Sequence, residues 1–147
     1  MFIGKYYHHL EEQGRLSLPK KFRQKENAWI ITRGLDGCLF LLPAANFENE
    51  IKKIADSSFT KKTNRDLLRL MTNEATELAA DEQGRVYLPK YLIEFARLEK
   101  AVVVVGSYHY LEIWDQDLYH RYVESLENQA EQIAENLNLS SNQENKN

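Results

Sequence analysis

Apolar and polar residues alternate with period two in several short stretches of this chain and recur at three- to four-residue steps in others. Ile3 to Leu10 is rich in aromatics and fits an extended strand. Glu11 to Gly14 interrupts it with polar residues and a glycine, after which Leu16-Ser17-Leu18 alternates again. Pro19 has no N–H to give a ladder, so it ends that strand, while its fixed φ suits the first position of a helix. A short helix over 19–25 with Phe22 facing inward is therefore predicted. Trp29-Ile30-Ile31-Thr32 is a β-branched run, Gly34-Leu35-Asp36-Gly37 a turn, and Cys38 to Leu42 the returning strand of a hairpin.

The series then recurs. Glu77 to Ala80 enters, Asp81 to Gly84 turns, Val86-Tyr87-Leu88 extends, and Pro89 opens a helix through Leu92, Phe95 and Ala96. Ala101 to Val105 matches Ala28 to Thr32, Gly106-Ser107 supplies the turn, and Leu111 to Trp114 returns as Leu39 to Leu42 did. One phrase is nearly copied: Glu11-Glu12-Gln13-Gly14-Arg15-Leu16-Ser17-Leu18-Pro19-Lys20 and, 70 residues on, Asp81-Glu82-Gln83-Gly84-Arg85-Val86-Tyr87-Leu88-Pro89-Lys90 share seven of ten residues. Self-similarity at a fixed spacing reveals the repeating structural unit. Two units this small bury little apolar surface alone, so they are expected to share a core, interlock or oligomerise.

Helical periodicity follows each returning strand. Asn46 is a candidate cap for a helix with Phe47, Ile51, Ile54 and Ala55 on one face. Thr63-Asn64-Arg65-Asp66 reads as a capping box opening a helix through Leu67, Leu70 and Met71. After Asp115 or Asp117, the positions Tyr119, Tyr122, Val123, Leu126, Ala130, Ile133, Ala134 and Leu137 predict one helix of about five turns. That stripe has two readings, a cover for the sheet edge or a contact with another subunit. The organisation expected is thus a first unit over 1–50, a helical connector over 51–76, a second unit over 77–120, a C-terminal helix over 121–139 and a disordered tail over 140–147, where apolar residues cease.

Charge changes this picture. The net charge of −3 hides an asymmetry: residues 1–70 hold 13 Lys/Arg against 8 Asp/Glu, and residues 71–147 hold 6 against 14. A basic half points to a polyanion, though it also suits a merely solvated face. The lone Cys38 can form neither an intrachain disulfide nor a cysteine zinc site, and its apolar neighbours suggest a buried small hydrophobe. No apolar run reaches the ~18 residues of a membrane span. The first nine residues lack a basic-then-apolar leader, which points to the cytoplasm.

The repeated phrase carries the candidate chemistry. Gly14 and Gly84 permit a tight backbone just before Arg15 and Arg85. Glu11 and Asp81 lie four residues earlier, across the turn, and are placed to hold each guanidinium through its planar fork. An oriented arginine on a rigid platform suits reading of guanine edges or gripping of phosphate. The neighbouring Lys20, Lys21, Arg23, Lys25 and Lys90 strengthen that reading. The plainer alternative is a structural ion pair pinning each hairpin turn.

Acid-x-x-Gly-Arg-apolar-x-Leu-Pro, twice, followed each time by a helix and a hairpin, resembles the SpoVT/AbrB swapped-hairpin family. The tandem arrangement, the Met1-Phe2-x-Gly4 opening and Glu112-Ile113-Trp114 are similar to its MraZ members, over about residues 1–125. The resemblance implies a mixed α+β, mainly β fold, in which both units form a pseudo-two-fold β-barrel-like core flanked by helices. It also implies a transcriptional regulator of the division and cell-wall gene cluster that binds direct repeats in double-stranded DNA upstream of its own operon. Ring-like homo-oligomers and association with the nucleoid are implied too. The family motif is written Asp-x-x-x-Arg; Asp81 and Arg85 satisfy it, whereas Glu11 departs from it by one methylene.

Other chemistry is poorly supported. His8 and His9 are adjacent and face opposite sides of a strand, and His109 and His120 lack companions at ligand spacing, so no metal site and no cofactor are expected. No phosphate loop, nucleophile elbow or metalloprotease helix is present, which argues against an enzyme and a small-molecule substrate. The main rival is an antitoxin-like protein-binding module of the same fold, with DNA binding secondary.

Overall fold

The computed structural model of the chain describes residues 1–23 and 28–144; the expectations for Lys25 and for residues 145–147 lie outside the described residues. In chain order the elements are β1 (Lys5–His9), a 3-10 turn (Glu12–Gly14), β2 (Arg15–Ser17), α1 (Lys20–Arg23), β3 (Ala28–Arg33), β4 (Leu39–Pro43), α2 (Ala44–Ala55) and α3 (Lys62–Asn73). There follow β5 (Thr76–Ala79), β6 (Arg85–Tyr87), α4 (Lys90–Phe95), β7 (Ala101–Gly106), β8 (Leu111–Asp115), α5 (Gln116–Glu127) and α6 (Ala130–Glu144). Two compact units result, one over Met1–Gln116 and one over Asp117–Asn147. The fold is mixed α+β with antiparallel strands throughout.

The strands pair across the repeat rather than within it. A six-stranded sheet runs β1-β7-β8-β4-β3-β5, and β2 and β6 form a separate ribbon. The opening strand of each repeat joins the β-branched strand of the other. Tyr6↔Val104 through His9↔Ala101 is matched by Thr76↔Ile31 through Ala79↔Ala28. At the centre, Leu39↔Ile113 and Leu41↔Leu111 flank Phe40↔Glu112, and in the ribbon Arg15↔Tyr87 and Ser17↔Arg85 flank Leu16↔Val86. Each register maps onto itself when the repeats exchange places, so the pairing is pseudo-two-fold. The ribbon lies against both edges of the sheet, β2 beside β1 and β6 beside β5.

Core composition explains the interlock. Leu16, Leu18, Phe22, Trp29, Ile31, Leu39 and Leu41 from the first repeat share one cluster with Val86, Leu88, Leu92, Val102, Val104, Leu111 and Ile113 from the second. Neither half closes a core without the other, as small units demand. Phe22 is buried as expected, edge-on to Phe2 and Tyr6 with ring centroids 5.2 Å apart in each case. Leu92 holds the matching place in α4.

Several helix boundaries differ from the sequence reading. Pro43 precedes α2, and Asn46, inside the first turn, donates instead to the His109 carbonyl at 2.8 Å. The capping box does not form: α3 begins at Lys62, and Asp66 pairs with Lys62 and with Arg69 one turn to either side. The single long helix is two, broken at Asn128-Gln129. Gln129 N–H bonds the Leu126 carbonyl, closing α5 with a tighter turn, and Ile133 N–H bonds the Gln129 carbonyl to start α6. Asparagine competes with the helical backbone for hydrogen bonds, which favours a break there. Ser140 to Glu144 continue α6 where an unstructured tail was expected.

Candidate nucleic-acid interface

The two copies of the phrase fold into loops at opposite ends of the β2–β6 ribbon. Each loop is closed by one backbone bond, Glu11 N–H to the Arg15 carbonyl at 2.8 Å and Asp81 N–H to the Arg85 carbonyl at 2.9 Å. Each glycine carbonyl accepts from the other repeat: Leu88 N–H reaches Gly14 at 2.8 Å and Leu18 N–H reaches Gly84 at 3.1 Å. Gly14 (φ +78°) and Gly84 (φ +75°) lie in the left-handed region that favours glycine. Close approach adds a second constraint, since a Cβ on Gly14 would stand 2.7 Å from the Leu88 carbonyl oxygen.

Around this symmetric backbone the side chains differ. Asp81 organises its loop. One carboxylate oxygen accepts the N–H groups of Gln83 and Arg85, both at 2.9 Å, and the other accepts Arg85 Nε at 3.0 Å. Those bonds, the Arg85 backbone N–H foremost, hold the Asp81 carboxyl below its ordinary pKa, and the same pairing raises that of Arg85.

Glu11 does not orient Arg15, contrary to the expectation. Its longer side chain crosses the ribbon, placing Oε2 3.5 Å from Nη1 of Arg85. The antiparallel register sets Arg15 against Tyr87 and Ser17 against Arg85, so this contact runs along the ribbon from the first loop to the start of β6. Arg85 is thus held by two carboxylates, one from each repeat.

Arg15 is held by neutral groups. Nη2 donates to Gln13 Oε1 at 3.0 Å, and the guanidinium carbon lies 5.4 Å from the centre of the Tyr87 ring. No carboxylate lies within ion-pairing distance among the described residues, and Nε is buried without an acceptor among them. An unmet buried donor costs about 1–3 kcal/mol, so this group gains from any oxygen brought to it. Both guanidiniums are half-buried, neither sunk in the core.

Of the other basic candidates, Lys20, Lys21 and Lys90 are exposed, at the starts of α1 and α4. Arg23 has a further task. Nη1 donates to the Gln83 carbonyl at 2.9 Å, and its side chain fills the space above Gly84. In the other repeat Ile93 covers Gly14 at the same place, 3.0 Å from a Cβ built there. Gln13, Tyr87 and Ile93 were not singled out from the sequence. The signal that finds Tyr87 and Ile93 is the disagreement of the aligned repeats, Ser17 against Tyr87 and Arg23 against Ile93; Gln13 matches Gln83 and carries no such signal.

The remaining candidates are quiet. His8 is half-buried with its pKa lowered by burial and then by Arg23 and His9, while His9 is exposed on the opposite side of β1. Cys38 is buried, with its Sγ 3.2 Å from the Leu35 carbonyl oxygen and 3.3 Å from a Glu112 carboxylate oxygen, one of which takes its single proton, and burial pushes its pKa far up. Among the described residues no cluster of three His, Cys, Asp or Glu suits a metal ion, and no helix is long and apolar enough to cross a membrane.

The family model described as "MraZ protein, putative antitoxin-like" matches the chain twice, over residues 1–70 and 71–140, the period of the internal repeat. The chain belongs to the MraZ family. Relatives named "Transcriptional regulator MraZ" include those of Pediococcus pentosaceus, 39% identical over 138 residues (93% of this chain and 96% of the relative), and of Moorella thermoacetica, 38% identical over the same shares. That of Carboxydothermus hydrogenoformans is 39% identical over 93% of this chain and 96% of its own length. MraZ-type sequence therefore covers both arginine loops, the ribbon and the six-stranded sheet.

Proposed function

We propose that this protein is a transcription regulator that binds double-stranded DNA through its two arginine loops. The observation that carries the reading is the ribbon itself: twin loops, locked together by reciprocal glycine–leucine hydrogen bonds, present two guanidiniums that are half-exposed and anchored to a rigid core. Placement within about 0.5 Å is what base-edge recognition needs, and an interlocked ribbon supplies it better than a free loop. Lys20, Lys21 and Lys90 serve as phosphate contacts, and Arg23 joins them only as far as its bond to Gln83 allows.

One chain offers two arginines, too few to select a site in a genome. Specificity then requires several subunits on repeated half-sites, here the direct repeats upstream of the division and cell-wall gene cluster, with the chain as a ring-like homo-oligomer. The same reading places it in the cytoplasm, on the nucleoid, and gives it no catalytic role. The test is a gel shift with the DNA upstream of the chain's own operon. The Arg15→Ala, Arg85→Ala double variant is expected to lose specific binding; wild-type affinity in that variant refutes the proposal.

A second reading, an antitoxin-like module that holds another protein, draws support from the wording of the matching family model and from Ile133, Leu137 and Leu139, exposed on α6. An arm that folds only on its partner predicts a loss of helix in the isolated chain. Circular dichroism showing α5 and α6 formed without a partner favours the DNA reading.

A further inference from the structure

We infer that the two arginine loops do different jobs on DNA: Arg15 discriminates bases, whereas Arg85, clamped across the repeat by Asp81 and Glu11, is a positioning residue that grips the backbone. This rests on the DNA-binding reading above. The reason lies in how many N–H donors each guanidinium still has to give. A guanine edge is read by two donors at once, either Nε with one Nη or the two Nη groups together. Arg85 has committed Nε to Asp81 at 3.0 Å and turned Nη1 toward Glu11 at 3.5 Å, so both two-donor arrangements compete with a carboxylate. Nη2 remains, enough for a single phosphate oxygen.

Arg15 stands at the other extreme. Among the described residues its side chain donates to a neutral amide, Gln13, on an exposed turn, and exchanging that bond for a base acceptor frees no buried charge. Its buried Nε has no acceptor, and its charge no carboxylate within ion-pairing distance, among the described residues. Tyr87, 46% exposed, lies beneath the guanidinium as a flat support that takes none of its N–H donors. At the matching place beside Arg85 stands Ser17, which offers no ring. Glu11 is the residue that makes the halves unequal, because an aspartate there would be too short to cross and would close its own loop as Asp81 does.

The test compares charge-retaining variants, which avoid leaving two carboxylates facing DNA. Binding of the full chain is measured on the upstream duplex and on a scrambled duplex of equal composition. Arg15→Lys is expected to lower the ratio of the two affinities about tenfold, since lysine cannot read an edge with a fork. Arg85→Lys should weaken both duplexes alike and leave the ratio within about twofold, as a backbone contact does. Equal losses of discrimination, or a larger loss for Arg85→Lys, overturn the inference. Should the double alanine variant bind as the wild type does, the DNA-binding reading itself falls, and the inference with it. A readout free of folding effects is the NMR signal of each arginine Nε–H in the wild-type chain. On adding the duplex, the Arg15 signal should shift and gain protection while that of Arg85 keeps its position; a shift confined to Arg85 overturns the assignment.

Discussion

The six-stranded sheet and the arginine loops have kept different things from the same internal repeat. In the sheet the pairing of β1 with β7 reappears in that of β5 with β3, residue for residue over four pairs, and the central β4–β8 ladder is its own mirror. In the loops only the backbone is symmetric. Arg85 has two carboxylate partners and Arg15 has an amide and a ring. Buried positions from both repeats share one close-packed cluster, so a change in one is felt by all. A loop side chain answers to few neighbours and is free to diverge, and divergence there alters function without unfolding the domain.

The largest effect expected breaks the symmetric part. Leu16 and Val86 face each other at the centre of the ribbon, both fully buried. Leu16→Ala should cost about 2–5 kcal/mol, seen as a lower midpoint in urea unfolding. If the repeats were independent domains, the melt would split into two transitions, whereas a shared core unfolds in one.

The two loop glycines sharpen the contrast. Alanine at either suffers about 1–2 kcal/mol of left-handed strain. Gly14→Ala also drives a methyl group against the Leu88 carbonyl, which the ribbon cannot move, whereas Gly84→Ala displaces the Arg23 side chain. Thermal unfolding should therefore rank Gly14→Ala as the more damaging; the reverse order would mean that the Arg23–Gln83 bond matters more than backbone clearance.

The smallest effect concerns acid. Asp81 is held below its ordinary value of 3.8, so its loop contributes stability that is fully present above that pH and is lost as pH falls through the lower folded value. Asp81→Asn should flatten the acid limb of the stability profile. Glu11→Asp sharpens the comparison further, because it restores the family motif in the first loop and should draw the carboxylate back from Arg85.

Much of the fold was legible in the residues. Period-two runs, the two prolines and the spacing of turn residues located every strand to within a residue or two, and the 70-residue offset announced two units that would share a core, interlock or oligomerise. Which strand pairs with which was not in the periodicity, because cross-repeat and within-repeat pairing bury the same apolar faces. The helix boundaries failed where several polar residues compete for one role: Asn46 and Asp66 both had better partners in three dimensions than the caps assigned to them. For the site, the arginines and glycines were legible as a motif, but the partner of Glu11 was not. Its reach depends on a register that only the folded ribbon defines. The helix break at Asn128-Gln129 leaves an apolar stripe unbroken in sequence, so periodicity alone ran straight through it.

If paired arginine loops meet a polyanion, binding to the upstream duplex must weaken as salt is added. Log affinity should fall linearly and steeply with log salt, and the Arg15→Ala, Arg85→Ala variant should show a slope shallower by about one to two units. A complex indifferent to salt, or a slope unchanged in the variant, contradicts it.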